Sequence, residues 1–225
     1  RGPNLDCKLC REQKMNREAE FGNVNYYDLP FEIAGSPITG CRGELFFSHE
    51  EMVKFDSLAE DWESKFVVFW LMSNTSFHKH YPFWGAVAER FCESHTDALV
   101  YSLGDKSSIS LEVKHPQIVP TSGKWDMRTA MGLIQFADLV IGGESGLMNA
   151  AACYDVAKVV LLSHSNRHNL TEHWMNTTVI EPKVGCFPCH ELHETKESCP
   201  LVRVVTNRPK IDNGWPVCMG SLDPD

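Results

Sequence analysis

The sequence lacks a surplus of basic residues. It carries 21 lysines and arginines against 30 aspartates and glutamates, a formal net charge of −9 at pH 7. This balance argues against an electrostatic surface for nucleic acid or for membranes. The chain also has no apolar run near the roughly 18 residues of a membrane-spanning helix, and no signal-peptide pattern at its start. We therefore expect a globular protein of the cytoplasm.

Further absences narrow the function. Internal repeats and low-complexity segments are missing, and no Gly-x-Gly-x-x-Gly fingerprint occurs, which weakens the case for a nicotinamide or flavin enzyme. The 225 residues suffice for one large domain, or for one domain with a partial second. The chain opens Arg1-Gly2-Pro3 without a methionine, so we expect a fragment or a processed product.

Cysteine, by contrast, is abundant, with nine residues in the chain. A secreted disulfide scaffold would be smaller and more densely bridged. Most of the cysteines cluster near the two ends of the sequence: Cys7, Cys10, Cys41, Cys186, Cys189, Cys199 and Cys218. This distribution indicates metal binding or a redox-sensitive flap in a reducing compartment.

Two Cys-x-x-Cys pairs are candidates for a tetrahedral structural zinc site that joins the two ends of the chain. The reduced thiols could equally form a flap without metal, or one disulfide under oxidising conditions. The candidate ligands are Cys7, Cys10, Cys186 and Cys189, with Cys199, His190 and His193 as alternatives.

The sequence pattern divides the chain into three parts. For residues 1–64 we predict an irregular and helical segment. This segment is either the remnant of a missing domain or the linker that leads from such a domain. Residues 65–182 alternate apolar strands with helices, which predicts a Rossmann-like α/β domain whose parallel sheet carries helices on both faces. Residues 183–225 form a Cys- and His-rich segment and a C-terminal tail.

The individual elements are predicted from apolar runs and capping residues. Strands are expected at residues 43–47, 66–72, 98–103, 117–120, 139–141, 158–162, 177–180 and 201–205. Helices are expected at residues 48–63, 82–95, 127–136, 145–154 and 169–175, with Ser48 and Asp126 as N-caps.

The stretch Ala137–Ala152 organises the rest of the chain. An apolar strand passes through a glycine turn into an Ala-rich helix, and such a turn offers backbone N–H groups to phosphate. Gly142 and Gly143 permit close backbone approach, and Ser145 adds a hydroxyl. Glu144 would repel phosphate and fits better as an acceptor for hydroxyls of an attached sugar. A tight strand–helix connection is the alternative.

Ligands of open parallel sheets bind beyond the carboxyl ends of the strands. Three predicted loops share that edge, at residues 73–80, 104–108 and 142–149. The first loop carries Lys79 just ahead of a helix, where its ammonium can reach a pyrophosphate. A solvated surface lysine is the alternative.

These residues resemble glycosyltransferase family 9, which includes the ADP-heptose:lipopolysaccharide heptosyltransferases. Lys79-His80-Tyr81-Pro82 is similar to the Lys-x-Trp-Pro element of the family. Residues 137–151 resemble its Ala-Asp-Leu-Val-Val-x-x-Asp-Ser/Thr-Gly-Pro-Met-His-Leu-Ala signature, and residues 156–162 resemble the strand that follows. Cys186-Phe187-Pro188-Cys189, followed by Cys199-Pro200, is similar to a cysteine-rich segment of many members.

The resemblance covers roughly residues 65–200 and implies the donor-binding C-terminal half of a GT-B glycosyltransferase. It implies that Lys79, Ser145 and Gly146 hold the pyrophosphate of a nucleotide diphosphate sugar, with an ADP-sugar favoured, and that Glu144 contacts the sugar. No cofactor is required. The implied donor-binding residues are Lys79, Gly143, Glu144, Ser145, Gly146, Leu147 and Met148, with Gly104 and Asp105 as weaker candidates beside the nucleoside.

The chain also departs from the family pattern. Glu144 replaces Asp, Leu147 replaces Pro and Asn149 replaces His, which suggests a donor sugar other than heptose. The general base of the family lies in an N-terminal Rossmann domain, and residues 1–64 do not resemble one. We expect a glycosyltransferase that a second domain or chain completes and that acts on an acceptor hydroxyl. The alternative is a catalytically degenerate domain of the same fold that acts as a binding or structural module. In one form of this alternative, a zinc ion stabilises the domain.

Overall fold

The computed structural model of the chain describes residues 24–37, 42–63, 65–71, 79–190, 202–203 and 215–224. Its centre is a six-stranded sheet in the order β3-β2-β1-β4-β5-β6, and every pairing in it is parallel. The strands are β1 (Val67–Leu71), β2 (Leu99–Leu103), β3 (Ile118–Pro120), β4 (Leu139–Gly143), β5 (Ala157–Leu161) and β6 (Thr177–Ile180). A short antiparallel pair, β7 (Val202–Arg203) and β8 (Trp215–Pro216), lies apart from this sheet.

Helices cover both faces of the sheet. They are α1 (Leu29–Ala34), α2 (His49–Ala59), α3 (Trp84–Ser94), α4 (Met127–Leu133), α5 (Gly146–Ala151) and α6 (Val217–Gly220). This architecture confirms the prediction of a Rossmann-like α/β fold. No helix in the described ranges is long and apolar enough to cross a membrane.

The central strand β1 shows why the sheet is buried on both faces. All five of its residues are buried, and side chains alternate between faces along a strand. Phe69 faces one core cluster together with Phe55 of α2 and Leu133 of α4. Trp70 faces the other cluster and packs edge-on against Trp84 of α3. A continuous apolar run therefore supplies two separate cores.

Helix α2 begins as the sequence predicts. The Ser48 side chain accepts a hydrogen bond from the Glu51 N–H at 3.2 Å, and the Glu51 carboxylate accepts one from the Ser48 N–H at 2.8 Å. The helix then buries Phe55 against the same core as the sheet, so the described part of residues 42–63 packs on the sheet domain. The division into segments 1–64, 65–182 and 183–225 stays a prediction.

The strand predicted at residues 43–47 is wrong. Leu45 and Phe47 pack on the core while Phe46 is 77% exposed, which produces the alternation of a strand. No strand lies beside this segment among the described residues, and the Phe46 carbonyl instead accepts a hydrogen bond from Arg128 at 2.8 Å. The helix predicted at residues 169–175 is also wrong, since the chain forms a single π-helical turn, Arg167–Thr171.

Candidate functional site

A cavity of about 430 Å³ opens at the carboxyl edge of the sheet, beyond the ends of β4 and β5. Its walls come from four separate parts of the chain, and this is the edge where open α/β sheets bind ligands. The lining residues are Lys79, then Glu144, Ser145, Gly146 and Asn149, then His164, Ser165 and Leu170, and finally Tyr26 and Tyr27.

The turn between β4 and α5 forms one wall of this cavity. Ser145 has an extended backbone and caps α5, because its Oγ accepts a hydrogen bond from the Met148 N–H at 3.1 Å. The Met148 N–H is therefore bound within the protein, and the Met148 side chain is buried in the core. Leu147 also packs on the core. A Cβ built on Gly146 would meet nothing within 4 Å, so this residue leaves open space in the cavity wall.

The other two glycines of the turn lie behind the wall. A Cβ on Gly142 would lie 2.6 Å from the Leu71 Cβ and 2.9 Å from the Leu71 carbonyl oxygen. The close approach of β1 and β4 therefore requires glycine at this position. Gly143 ends β4 and pairs with Leu161 of β5. Gly143, Leu147 and Met148 support the turn without lining the cavity, and their contact with a donor stays a prediction.

Glu144 is buried, with 2% of its surface exposed. Its carboxylate accepts hydrogen bonds from the Ser163 hydroxyl at 2.8 Å, from the Ser165 N–H at 3.0 Å and from the His164 ring Nδ1. Burial alone would raise the pKa of this carboxyl, but the hydrogen bond and charge of His164, together with Lys79 and Ser163, outweigh burial and hold the pKa below its ordinary value. Glu144 is therefore ionised at neutral pH.

Lys79 also lines the cavity and precedes α3 in the chain. Burial lowers the pKa of its ammonium, and the negative charge of Glu144 opposes that shift. The structure thus brings together Lys79, Glu144, Ser145 and Gly146, which the sequence had placed in two distant loops. The solvated-surface alternative for Lys79 does not describe this half-buried position.

Sequence reasoning missed the strap, a name we give to residues 24–28. The Tyr26 hydroxyl and the Ser165 hydroxyl are hydrogen-bonded, with 3.1 Å between their oxygens. The Tyr27 hydroxyl donates a hydrogen bond to Asn149 Oδ1 at 3.0 Å. Asn25 fixes the strap to the π-helical turn by donating to the His168 carbonyl at 2.7 Å. Nothing in the spacing of these tyrosines indicates a cavity wall.

His164 and Ser165 were missed as well, although a signal existed. Both follow β5, whose carboxyl end meets the same edge as β4 because the two strands are parallel neighbours. The rule that selected the loops after β1, β2 and β4 would have selected this loop too.

Gly104 and Asp105 lie elsewhere, at the end of β2, and do not line the cavity. A Cβ on Gly104 would lie 2.5 Å from the Ser108 side chain. Asp105 caps a 3₁₀ helix, Lys106–Leu111, and hydrogen bonds from Ser107 and Ser108 lower its pKa against a smaller opposing effect of burial. Their contact with a nucleoside stays a prediction.

The proposed zinc ligands are only partly described. Cys186 and Cys189 are half-buried and form no disulfide with another described cysteine. The His190 N–H donates to the His164 carbonyl at 2.9 Å, and burial lowers the pKa of its ring. Cys7, Cys10, His193 and Cys199 lie outside the described residues. Within those residues, no group of three or more His, Cys, Asp or Glu could hold a metal ion, so zinc stays a prediction.

The chain is similar to solved glycosyltransferase structures. A family 9 glycosyltransferase from Veillonella parvula DSM 2008 superimposes with a TM-score of 0.61 at 14% identity, over 74% of this chain and 52% of that one. The ADP-heptose lps heptosyltransferase II of E. coli superimposes with a TM-score of 0.51 at 16% identity, over 63% of this chain and 46% of that one. The dodecameric iron-containing heptosyltransferase TibC, solved in complex with ADP-D-beta-D-heptose, superimposes with a TM-score of 0.50 at 13% identity, over 76% of this chain and 43% of that one.

The chain therefore spans about half the length of the structures it matches, and at these identities the similarity establishes the fold. No curated protein matches the chain. The model of glycosyltransferase family 9 (heptosyltransferase) matches residues 24–199, which include the sheet, the strap and the cavity. The chain belongs to glycosyltransferase family 9.

Proposed function

We propose that this chain is the donor-binding half of a glycosyltransferase that moves a sugar from a nucleotide diphosphate sugar to an acceptor hydroxyl. One observation carries the proposal. Lys79 and the turn from Glu144 to Gly146, which are distant in sequence and both lie within the residues that the family model matches, line the same cavity at the carboxyl edge of the sheet.

The diphosphate lies between Lys79 and the start of α5 in this proposal. The Ser145 hydroxyl accepts the Met148 N–H and can still donate its own proton to a phosphate oxygen. The first N–H groups of a helix have no intrahelical acceptor, so those of Gly146 and Leu147 suit the same anion. Helix α5 has only six residues, and the ammonium of Lys79 therefore supplies most of the attraction.

These groups also act on the leaving group. As the bond between sugar and diphosphate breaks, negative charge grows on the β-phosphate. A half-buried ammonium stabilises that charge more strongly than one in bulk water, because the surrounding dielectric is lower. Binding and departure of the nucleoside diphosphate thus depend on the same side chains.

The acceptor and its general base belong to a second domain or chain in this proposal, since the chain spans about half the length of its structural relatives. TibC was solved with ADP-D-beta-D-heptose, so ADP-sugars are the first donors to test. Zinc held by the cysteine-rich segment and a cytoplasmic location are parts of the same proposal. The family match does not favour the degenerate-module alternative.

Isothermal titration calorimetry with ADP-glucose, GDP-mannose and UDP-glucose tests the proposal. Lys79→Met retains the apolar stem and removes the charge, and should weaken binding about 10- to 100-fold, as expected for loss of one charged hydrogen bond. Lys65→Met is the control, because Lys65 is exposed and precedes β1 at the opposite edge of the sheet. Absence of binding to all three donors, or equal losses in both variants, would contradict the proposal.

A further inference from the structure

Residues 215–224, which we call the brace, pack on the sheet domain beside α3. The side chains of Cys218, Met219 and Leu222 in the brace are at most 8% exposed. They belong to the same core cluster as Trp84 of α3. The family model matches residues 24–199, so the brace lies outside the residues that it matches. The brace is therefore a part of this domain that the family match does not account for.

Tyr81 connects the brace to the chain just before α3. Its hydroxyl donates a buried hydrogen bond to the Leu222 carbonyl at 3.2 Å, and the residue is only 5% exposed. One residue earlier, the His80 ring lies beside the Trp215 ring, with 6.4 Å between the ring centroids. The brace therefore contacts the two residues that directly follow Lys79.

The Lys79 side chain depends on its backbone for a fixed position. In the part of the chain that the structure describes, its ammonium forms no hydrogen bond or ion pair, and the charge that acts on it is that of Glu144. Phe83, the N-cap of α3, makes no side-chain hydrogen bond to the helix. A lysine has a flexible four-carbon stem, so the ammonium can reach one point of the cavity reproducibly only if the backbone at residue 79 is held.

We propose that the brace positions Lys79 for the diphosphate, and that Tyr81 is the positioning residue through which it acts. The inference rests on the proposed function and deepens it. Hydrogen bonds from N–H to oxygen span only about 2.7–3.2 Å, so a shift of about 1 Å in the ammonium is enough to lose one. Tyr81 is not among the residues that line the cavity. Loss of its hydroxyl should therefore weaken diphosphate binding from outside the site.

The first test measures the affinities for ADP, GDP and UDP by calorimetry. Tyr81→Phe keeps the ring and removes the donor to the Leu222 carbonyl. We expect a loss of about three- to tenfold, smaller than the loss of about 10- to 100-fold expected when the Lys79 charge itself is removed. Tyr154→Phe is the matched control and should leave affinity unchanged. The Tyr154 hydroxyl also donates to a backbone carbonyl, that of Met131 at 3.1 Å, but Tyr154 packs on the other core cluster and does not line the cavity.

A double-mutant cycle separates positioning of Lys79 from a general loss of structure. If Tyr81 acts through Lys79, Tyr81→Phe should have no further effect on affinity in the Lys79→Met background. If Tyr81→Phe weakens binding by the same factor in both backgrounds, the hydrogen bond supports the fold as a whole and the inference is wrong. Wild-type affinity in Tyr81→Phe would overturn the inference as well.

A second measurement reports the position of Lys79 without any nucleotide. Burial lowers the pKa of the Lys79 ammonium, and an ammonium that moves into solvent titrates closer to the ordinary value of lysine. The ¹³C NMR signals of reductively methylated lysines follow this titration. The pKa of Lys79 should be higher in Tyr81→Phe than in the wild type, and should not change in Tyr154→Phe. An unchanged pKa in Tyr81→Phe would contradict the positioning role.

These measurements distinguish failure of the inference from failure of the proposed function. If the wild type binds a nucleoside diphosphate but Tyr81→Phe changes neither the affinity nor the pKa of Lys79, only the inference is wrong. If the wild type binds no nucleotide and the pKa of Lys79 still responds to Tyr81→Phe, the brace positions Lys79 but the proposed function is wrong. If the wild type binds no nucleotide and the pKa does not respond, both are wrong.

Discussion

Ser145 has two roles in this account, and two substitutions separate them. Ser145→Ala removes the acceptor for the Met148 N–H, which should cost about 1 kcal/mol of folding free energy and about 2–4 °C in Tm. It also removes the hydroxyl that faces the phosphate, worth about 1.5–3 kcal/mol of binding for a hydrogen bond to a charged group. Ser145→Asp keeps a capping acceptor, so its stability should stay close to wild type.

The aspartate at position 145 nevertheless places a negative charge beside the diphosphate. At about 4 Å and an effective dielectric constant of about 20, the repulsion amounts to about 4 kcal/mol, or roughly a thousandfold loss of affinity. Ser145→Asp should therefore be about as stable as the wild type, and Ser145→Ala should be less stable than both. The affinity for the nucleotide should be highest in the wild type, lower in Ser145→Ala and lowest in Ser145→Asp. Thermal unfolding and calorimetry on the same samples measure both. Tight binding of a nucleoside diphosphate by Ser145→Asp would refute the placement of the phosphate at this turn.

Three further predictions concern charge and packing. Only protonated Lys79 attracts the diphosphate, and burial lowers the pKa of its ammonium. The affinity for the nucleotide should therefore fall as the pH rises, and this fall should begin at a lower pH than it would for an ordinary lysine. In calorimetry, Lys79→Met should remove this pH dependence. Burial lowers the pKa of Lys158 to about 8 in the folded state, so between about pH 8 and 10.5 the unfolded state binds more protons than the folded state. The free energy of unfolding should therefore rise with pH by about 3 kcal/mol across that window. Urea titrations should show this rise in the wild type relative to Lys158→Met. Gly142→Ala forces a Cβ against Leu71 and should cost about 1–3 kcal/mol in urea unfolding, whereas Gly146→Ala meets open space and should leave stability unchanged within about 0.5 kcal/mol.

Each of these has a contrary result. A pH-independent affinity would show that Lys79 does not contact the anion. A parallel pH dependence of wild type and Lys158→Met would show that the buried ammonium is ordinary, although it donates to the Val156 carbonyl at 2.6 Å and is only 1% exposed. Equal stabilities of the two alanine variants would refute the packing reason for glycine at position 142.

The sheet could be predicted from the sequence because its signals are local. The continuous apolar run of β1 and the Asp126 cap of α4, which accepts the Thr129 N–H at 2.8 Å, each depend on neighbouring residues alone. The strand predicted at 43–47 failed because alternation reports burial on one side, whereas a strand also needs a partner. That partner is a property of the whole fold.

The cavity could be predicted only in part. Lys79 and Ser145 stand in motifs whose spacing is visible in the chain, so the sequence could identify them. The environment of Glu144 could not be foreseen, because its donors come from the loop after another strand, and because the hydrogen bonds that its carboxylate accepts depend on distances between those atoms. Tyr26 and Tyr27 reach the cavity by a contact across more than a hundred residues, which no local pattern encodes.

A crystal structure of this chain with a bound nucleotide sugar tests the central claim most directly. The account predicts the β-phosphate within hydrogen-bond distance of Lys79 Nζ, Ser145 Oγ and the Gly146 N–H, and the sugar in the cavity beyond β4 and β5. A nucleotide bound instead in the separate cavity of about 550 Å³ beside β3, with Lys79 and Ser145 untouched, would contradict it.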